Sequence, residues 1–231
     1  MIALAAAAVF LLASHFAIAS SRLRDVLVRR LGERGYLASY SLVAVAAFAG
    51  LVAAYRRAPL DVLWAAPDGL KLALAPVILL AFVLTVAGLT TPNPTIVGAE
   101  RLFDRPDCVR GILRVTRNPF LWGSGLWAVA HAIATGDLAA ILTFGSIAVL
   151  GLGGSVVLDE KKARRHAIEW ARFASLSSNI PFAAILGGRQ RLALGEVGWW
   201  RLALAVALFG AAVVAHPWAF GVVPLPTGAI F

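Results

Sequence analysis

Three histidines fall inside long apolar runs: His15, His131 and His216. An ionisable side chain in an apolar solvent is costly, so each of them is a candidate functional group. Neutral imidazole is the mildest such group to bury, and it is also a good axial ligand for haem iron. His131 shares a helical face with Ser124, Trp127, Ala128 and Thr135, a stripe more polar than the rest of its run. That face is expected to point into a bundle, with the small Ala128 leaving room beside the imidazole for a flat ring. His15, beside Ser14 in an alanine-rich stretch, is open to the same reading. The two imidazoles could ligate one haem, or each could bond a carbonyl on an adjacent helix. At about 1.5 Å per residue, His15 lies roughly 7 Å from the end of its run and His131 roughly 18 Å from Pro119. A shared haem therefore requires one helix to tilt or to begin outside the core. His216, between an apolar run and Pro217-Trp218, reads as an interface residue, and His166, set among charges, as solvated or headgroup-facing.

A second constellation is Arg117-Asn118-Pro119-Phe120-Leu121-Trp122-Gly123, paired with Asp159-Glu160. A cation, a proline-started helix and a carboxylate pair at one membrane face could hold an anionic or zwitterionic ligand. Thr135-Gly136-Asp137 makes a tight turn between the helices that carry these residues, so Arg117 and Glu160 are expected to approach one another.

The elements that must position these groups are membrane helices. Apolar residues make up 60% of the chain and the mean hydropathy is +0.82, more apolar surface than a soluble domain can hide from water. Six runs approach the roughly 20 residues needed to cross a bilayer: 2–19, 36–55, 72–90, 119–135, 138–158 and 199–222. In lipid only helices keep every backbone amide paired in such crossings, so the fold class is all-α: a polytopic membrane helical bundle of about six transmembrane helices. Gly145, Gly151, Gly153 and Gly154 mark a helix able to approach a neighbour closely.

Charge orients the bundle. Arg22, Arg24, Arg29, Arg30 and Arg34 follow the first run, Arg101, Arg105, Arg110, Arg114 and Arg117 the third, and Lys161, Lys162, Arg164, Arg165, Arg172, Arg189 and Arg191 the fifth. The alternate connections hold Arg56, Arg57 and Lys71. Basic loops stay cytoplasmic, which puts both termini on the far, periplasmic side. The first run has no basic residues before it and reads as a retained helix rather than a secretion signal. The net charge of +9 is spread over juxtamembrane loops and needs only a lipid bilayer with anionic headgroups as partner, not nucleic acid. Residues 159–174 have a helical rhythm with alanines and Trp170 on one side, suggesting a helix lying on the inner leaflet. Cys108, the single cysteine, excludes an intrachain disulfide and reads as a reduced loop residue.

The chain resembles the NnrU family of bacterial membrane proteins. The matching pieces are Ser14-His15-Phe16, Pro92-Asn93-Pro94, the run from Arg114 to Gly123, the run from Leu126 to His131 with Gly136-Asp137, Pro181-Phe182 and Gly188-Arg189. They span roughly residues 1–192, leaving 193–231 as an additional C-terminal crossing within a single domain, 1–231. The resemblance implies a bacterial inner-membrane protein with a redox or nitric-oxide-linked role in denitrification. The related 15-cis-zeta-carotene isomerases share these motifs and use haem b. By that resemblance His15 and His131 fall at candidate haem ligands, while Ala128 stands at an alternative cysteine ligand and cannot bind iron. The second relation is to membrane methyltransferases, where Arg-His-Pro-x-Tyr-x-Gly and a later Glu-Glu help bind S-adenosylmethionine. Arg117, Pro119, Gly123 and Glu160 match that pattern, and Asn118 and Leu121 depart from it. The readings are thus a haem-b-binding, isomerase-like protein with a lipophilic or small-molecule ligand, an S-adenosylmethionine-dependent methyltransferase, or a non-enzymatic membrane scaffold.

Overall fold

The computed structural model describes residues 1–18 and 22–225, and these are helical apart from connections and one isolated bridge between Val62 and Asp137. Each of the six apolar runs is helical over most of its length. The helices are α1 (Ile2–Ile18), α2 (Arg22–Tyr55), α3 (Asp68–Thr90), α4 (Pro119–Thr135), α5 (Leu138–Arg165) and, after the short α6 (Ala167–Leu176), α7 (Trp199–Phe220). Leu23–Tyr55, α3, α5 and α7 are long and apolar enough to cross a membrane. Helix α4, with 17 residues, is about 25 Å long and stands at the lower limit for a crossing; α1 is similarly short. Phe231, expected on the outer side, lies outside the described residues.

The helices pack in the spatial order α7, α3, α4, α5, with α1 and α2 against α5. Small residues set the closest approaches. A Cβ placed on Gly88 of α3 would lie 2.7 Å from the Phe120 nitrogen of α4, and one on Gly151 of α5 would lie 2.7 Å from the Leu121 carbonyl oxygen. Of the four glycines expected to pack closely, only Gly151 does so: Gly145 and Gly154 have nothing within 4 Å, and Gly153 makes ordinary contact with Phe16. At the α4–α5 turn, Gly136 takes φ 69° and Asp137 caps α5 by accepting from the Ala140 N–H at 2.8 Å. The α2–α3 connection is clamped over this turn. Leu138 N–H donates to Asp61 O, and the Trp64 indole N–H donates to Ile133 O, each at 2.9 Å. The two short connections therefore share one end of the bundle, the hairpin end, and the long basic segments gather at the opposite, loop end.

Two expectations are corrected at the loop end. The basic stretch after α1 is helical, but α2 is broken at Gly32, whose φ 72° and ψ 165° are open essentially to glycine alone. Arg24 nevertheless bonds Glu33 at 2.7 Å and lies 5.2 Å from the Tyr36 ring centroid. On a straight helix Arg24 and Tyr36 would be about 18 Å apart along the axis, beyond an arginine's reach, so the arm Arg22–Leu31 folds back. The second correction concerns residues 159–174. α5 runs on to Arg165, the backbone breaks at His166, and α6 buries Trp170 and Phe173 against Phe103 instead of laying them on a leaflet. The reason is a folded cap: the 3₁₀ turns Glu100–Asp104 and Gly111–Arg114 bring Phe103, Cys108, Ile112 and Leu113 into an apolar core that the two aromatics complete. Cys108 is buried there.

Candidate functional site

His15 and His131 are each anchored on their own helix, not on a neighbour, whereas His216 Nδ1 lies 3.0 Å from Val222 O, just past the end of α7. His15 Nδ1 and His131 Nδ1 lie 2.8 Å from the carbonyl oxygens of Leu11 and Trp127, four residues earlier. A carbonyl only accepts, so Nδ1 carries the proton in both and Nε2 keeps its lone pair, the state an axial ligand needs. His15 also sits in a π-helical turn, Ser14–Ile18, a slipped register that recurs at functional sites. The slip gathers Ser14 Oγ, as well as the imidazole, onto the Leu11 carbonyl. The His15 ring meets the edge of Tyr40, which stacks on Tyr36. His131 is half-buried between Trp127 and Phe144, with ring centroids at 4.3 and 5.2 Å. Ala128 is fully buried, so the expected gap beside His131 is filled by packing.

The two imidazoles stand at different depths. Phe16, next to His15, touches the Gly153 level of α5, whereas His131 touches Phe144. Nine residues of helix separate those levels, about 13 Å. Two nitrogens on one iron must face each other across a single atom, so a haem shared between His15 and His131 does not fit this arrangement. Either imidazole alone has the donor chemistry of an axial ligand.

The loop end holds the densest polar network. Pro119 starts α4 and places Asn118 just before it, opposite the last turns of α5. Arg117 donates from Nε and Nη2 to Asp159 Oδ2 at 2.8 and 2.6 Å, and Asn118 Nδ2 donates to Asp159 Oδ1 at 2.8 Å. The Arg117 guanidinium lies 5.1 Å from the Trp170 ring centroid. Asn179 Oδ1 accepts from the Trp122 indole at 2.9 Å and from Asn118 Nδ2 at 3.3 Å, and Asn93 Nδ2 donates to the Arg117 carbonyl at 3.0 Å. Asn118 Oδ1 is buried without a protein partner. The network ties three chain segments, 93–95, 116–122 and 177–182, to the end of α5. Glu160, by contrast, points away and pairs loosely with Arg164 at 3.6 Å, both largely exposed. Arg117 and Glu160 are thus not brought together; Asp159 takes the place expected of Glu160.

Beside this network is a cleft of about 440 Å³ lined by Asp107, Arg110, Arg114, Leu176, Gln190 and Glu196 among others. Arg114 forks onto Glu196 at 2.8 and 2.9 Å and also reaches Gln190, while Gly111, at φ 58°, donates its N–H to Glu196 at 3.0 Å. Hydrogen bonds from Arg114, then from Gly111, hold the Glu196 carboxyl down at about 2. The motifs of the family resemblance took in Arg114 and Asn93 but not Asn179, Gln190 or Glu196, which lie 57 or more residues from the side chains they bond and carry no local signal.

Comparison with known proteins gives a family and two relatives. The family model described as NnrU protein matches residues 3–224, a stretch that includes α7. The chain is 39% identical over 83 residues to the chloroplastic 15-cis-zeta-carotene isomerase of Arabidopsis thaliana, covering 36% of this chain and 22% of that protein. It is 32% identical over 82 residues to the chloroplastic 15-cis-zeta-carotene isomerase of Zea mays, again covering 36% and 22%. The aligned stretch thus spans about a fifth of each relative's length. No solved structure matches.

Proposed function

The chain belongs to the NnrU family, and from that premise we propose that it is an isomerase-like membrane protein holding haem b through His131, with a redox-linked role. The observation that carries the reading is the His131 imidazole itself. Its Nδ1–H is fixed on Trp127 O, its Nε2 keeps the lone pair of a ligand, and the residue is only partly buried. The similarity to two 15-cis-zeta-carotene isomerases supports the choice of reaction class. Haem iron, when bound, would supply a one-electron couple next to the substrate.

The protein's own part follows from the site. The Trp127 carbonyl orients the imidazole and Trp127 and Phe144 restrict its rotation, so the ligand nitrogen keeps one direction. The apolar surroundings exclude water, and a lipophilic polyene would reach the ring edge from the bilayer. His15, some 13 Å of helix away in depth, stays outside this site. We further propose a bacterial inner-membrane location with both termini periplasmic, from the alternation of basic loops. Methyl transfer from S-adenosylmethionine is less well supported, because Arg117 is committed to Asp159 and Glu160 lies apart from it.

The test is isomerisation in nanodiscs. Protein supplied with haem and a reductant should convert a conjugated polyene bearing a central cis double bond to its trans isomer, followed by absorption and chromatography. The His131→Ala variant should not. Equal conversion by both proteins would reject His131 as the site.

A further inference from the structure

We propose that the folded-back arm Arg22–Leu31 is an in-plane element that binds the anionic phospholipid headgroups of the leaflet at the loop end. Three observations on the arm carry this, independently of the haem reading. First, the break at Gly32 turns these residues off the axis of the rest of α2, and the Arg24 contacts with Glu33 and Tyr36 hold them there. Second, Leu23, Leu27 and Leu31 recur every four residues as a stripe that Arg30 borders, and Leu23 and Leu31 are 47% and 50% exposed despite being apolar. Third, Arg29 and Arg30 on the arm and Arg34 just past its break are exposed, and among the described residues no carboxylate stands within ion-pair distance of them. Arg24 differs: its charge is committed to Glu33.

Exposed leucines beside unneutralised arginines suit neither water nor hydrocarbon. Both are satisfied at the boundary between acyl chains and headgroups, where the leucines enter the hydrocarbon and the guanidiniums meet phosphate. Charge complementarity decides the occupant. Two free arginines on the arm, with a third just past its break, attract an anionic leaflet and gain little from a zwitterionic one.

The experiment uses the full chain in nanodiscs of phosphatidylcholine alone or mixed with phosphatidylglycerol. A fluorophore is placed on Leu31→Cys in a Cys108→Ser background, and lipid retention is counted by native mass spectrometry. The label should be quenched by a lipid carrying its quencher near the headgroup and be shielded from an aqueous quencher. Phosphatidylglycerol should be retained over phosphatidylcholine, less so as salt rises. The triple variant Arg29→Gln/Arg30→Gln/Arg34→Gln should lose about a hundredfold of that preference. Its thermal midpoint should stay near the native value, since the three side chains are exposed. A label open to the aqueous quencher in both membranes, or a triple variant that keeps the preference, would overturn the proposal.

Discussion

Replacing Asp159 with Ala, set beside the same change at Glu160, tests the reading of the loop-end network. Asp159 accepts two hydrogen bonds from Arg117 and one from Asn118, and the Arg117 and Asp159 side chains are each 14% exposed. A hydrogen bond to a charged group is worth about 1.5–3 kcal/mol, and stranding a largely buried cation costs several kcal/mol. Arg117 keeps its place over Trp170 after the change, which softens the loss. Asp159→Ala should therefore destabilise the protein by about 3 kcal/mol. For a chain of this size that is a fall of about 6–12 °C in thermal midpoint. Glu160 and Arg164 are 61% and 65% exposed and 3.6 Å apart, so Glu160→Ala should change stability by no more than about 0.5 kcal/mol. The assay is intrinsic-fluorescence melting in detergent. Equal midpoints for the two variants would show that the carboxylate holding the three segments together has been misidentified.

Three further outcomes follow from local geometry. The Glu196 carboxyl is depressed to about 2, so its bonds with Arg114 and Gly111 stabilise the fold above the ordinary carboxylate range and are lost as pH falls toward that value. The side chain is 36% exposed, which reduces the effect to about 1 kcal/mol; native protein should lose more stability than Glu196→Gln between about pH 5 and pH 2, and parallel curves would refute the linkage. Gly151→Ala places a Cβ 2.7 Å from Leu121 O and 3.0 Å from Gly125 N, and should cost about 1–3 kcal/mol by forcing α4 from α5. Gly145→Ala, with nothing within 4 Å, should leave the melting midpoint near the native value, and a matching loss in both would discount the close approach.

The crossings were legible because lipid imposes a simple rule: about 20 apolar residues, all backbone groups paired within the helix. Arg24 shows where legibility stopped. A basic run after a crossing reads as a loop, and only the positive φ of Gly32 turns it into a folded-back helix. Trp170 stood out in the sequence, but its partner Phe103 was hidden because the cap that joins them is built from contacts distant in sequence. Arg117 was legible as a cation at a helix start, and the structure sets it against Asp159. The choice between Asp159 and Glu160 depends on which way each residue points from the last turn of α5, and adjacent helical residues point about 100° apart. His15 and His131 were recognised by their cost in lipid; their unequal depth, already visible in residue counts, persists in the packing against α5.

Reduced-minus-oxidised absorption spectra of the purified protein, expressed with ample haem, test the central claim most directly. Native protein and His15→Ala should both show a Soret band with sharp reduced bands, and His131→Ala should show neither. A featureless native spectrum, or bands that survive in His131→Ala, would contradict a haem held through that imidazole.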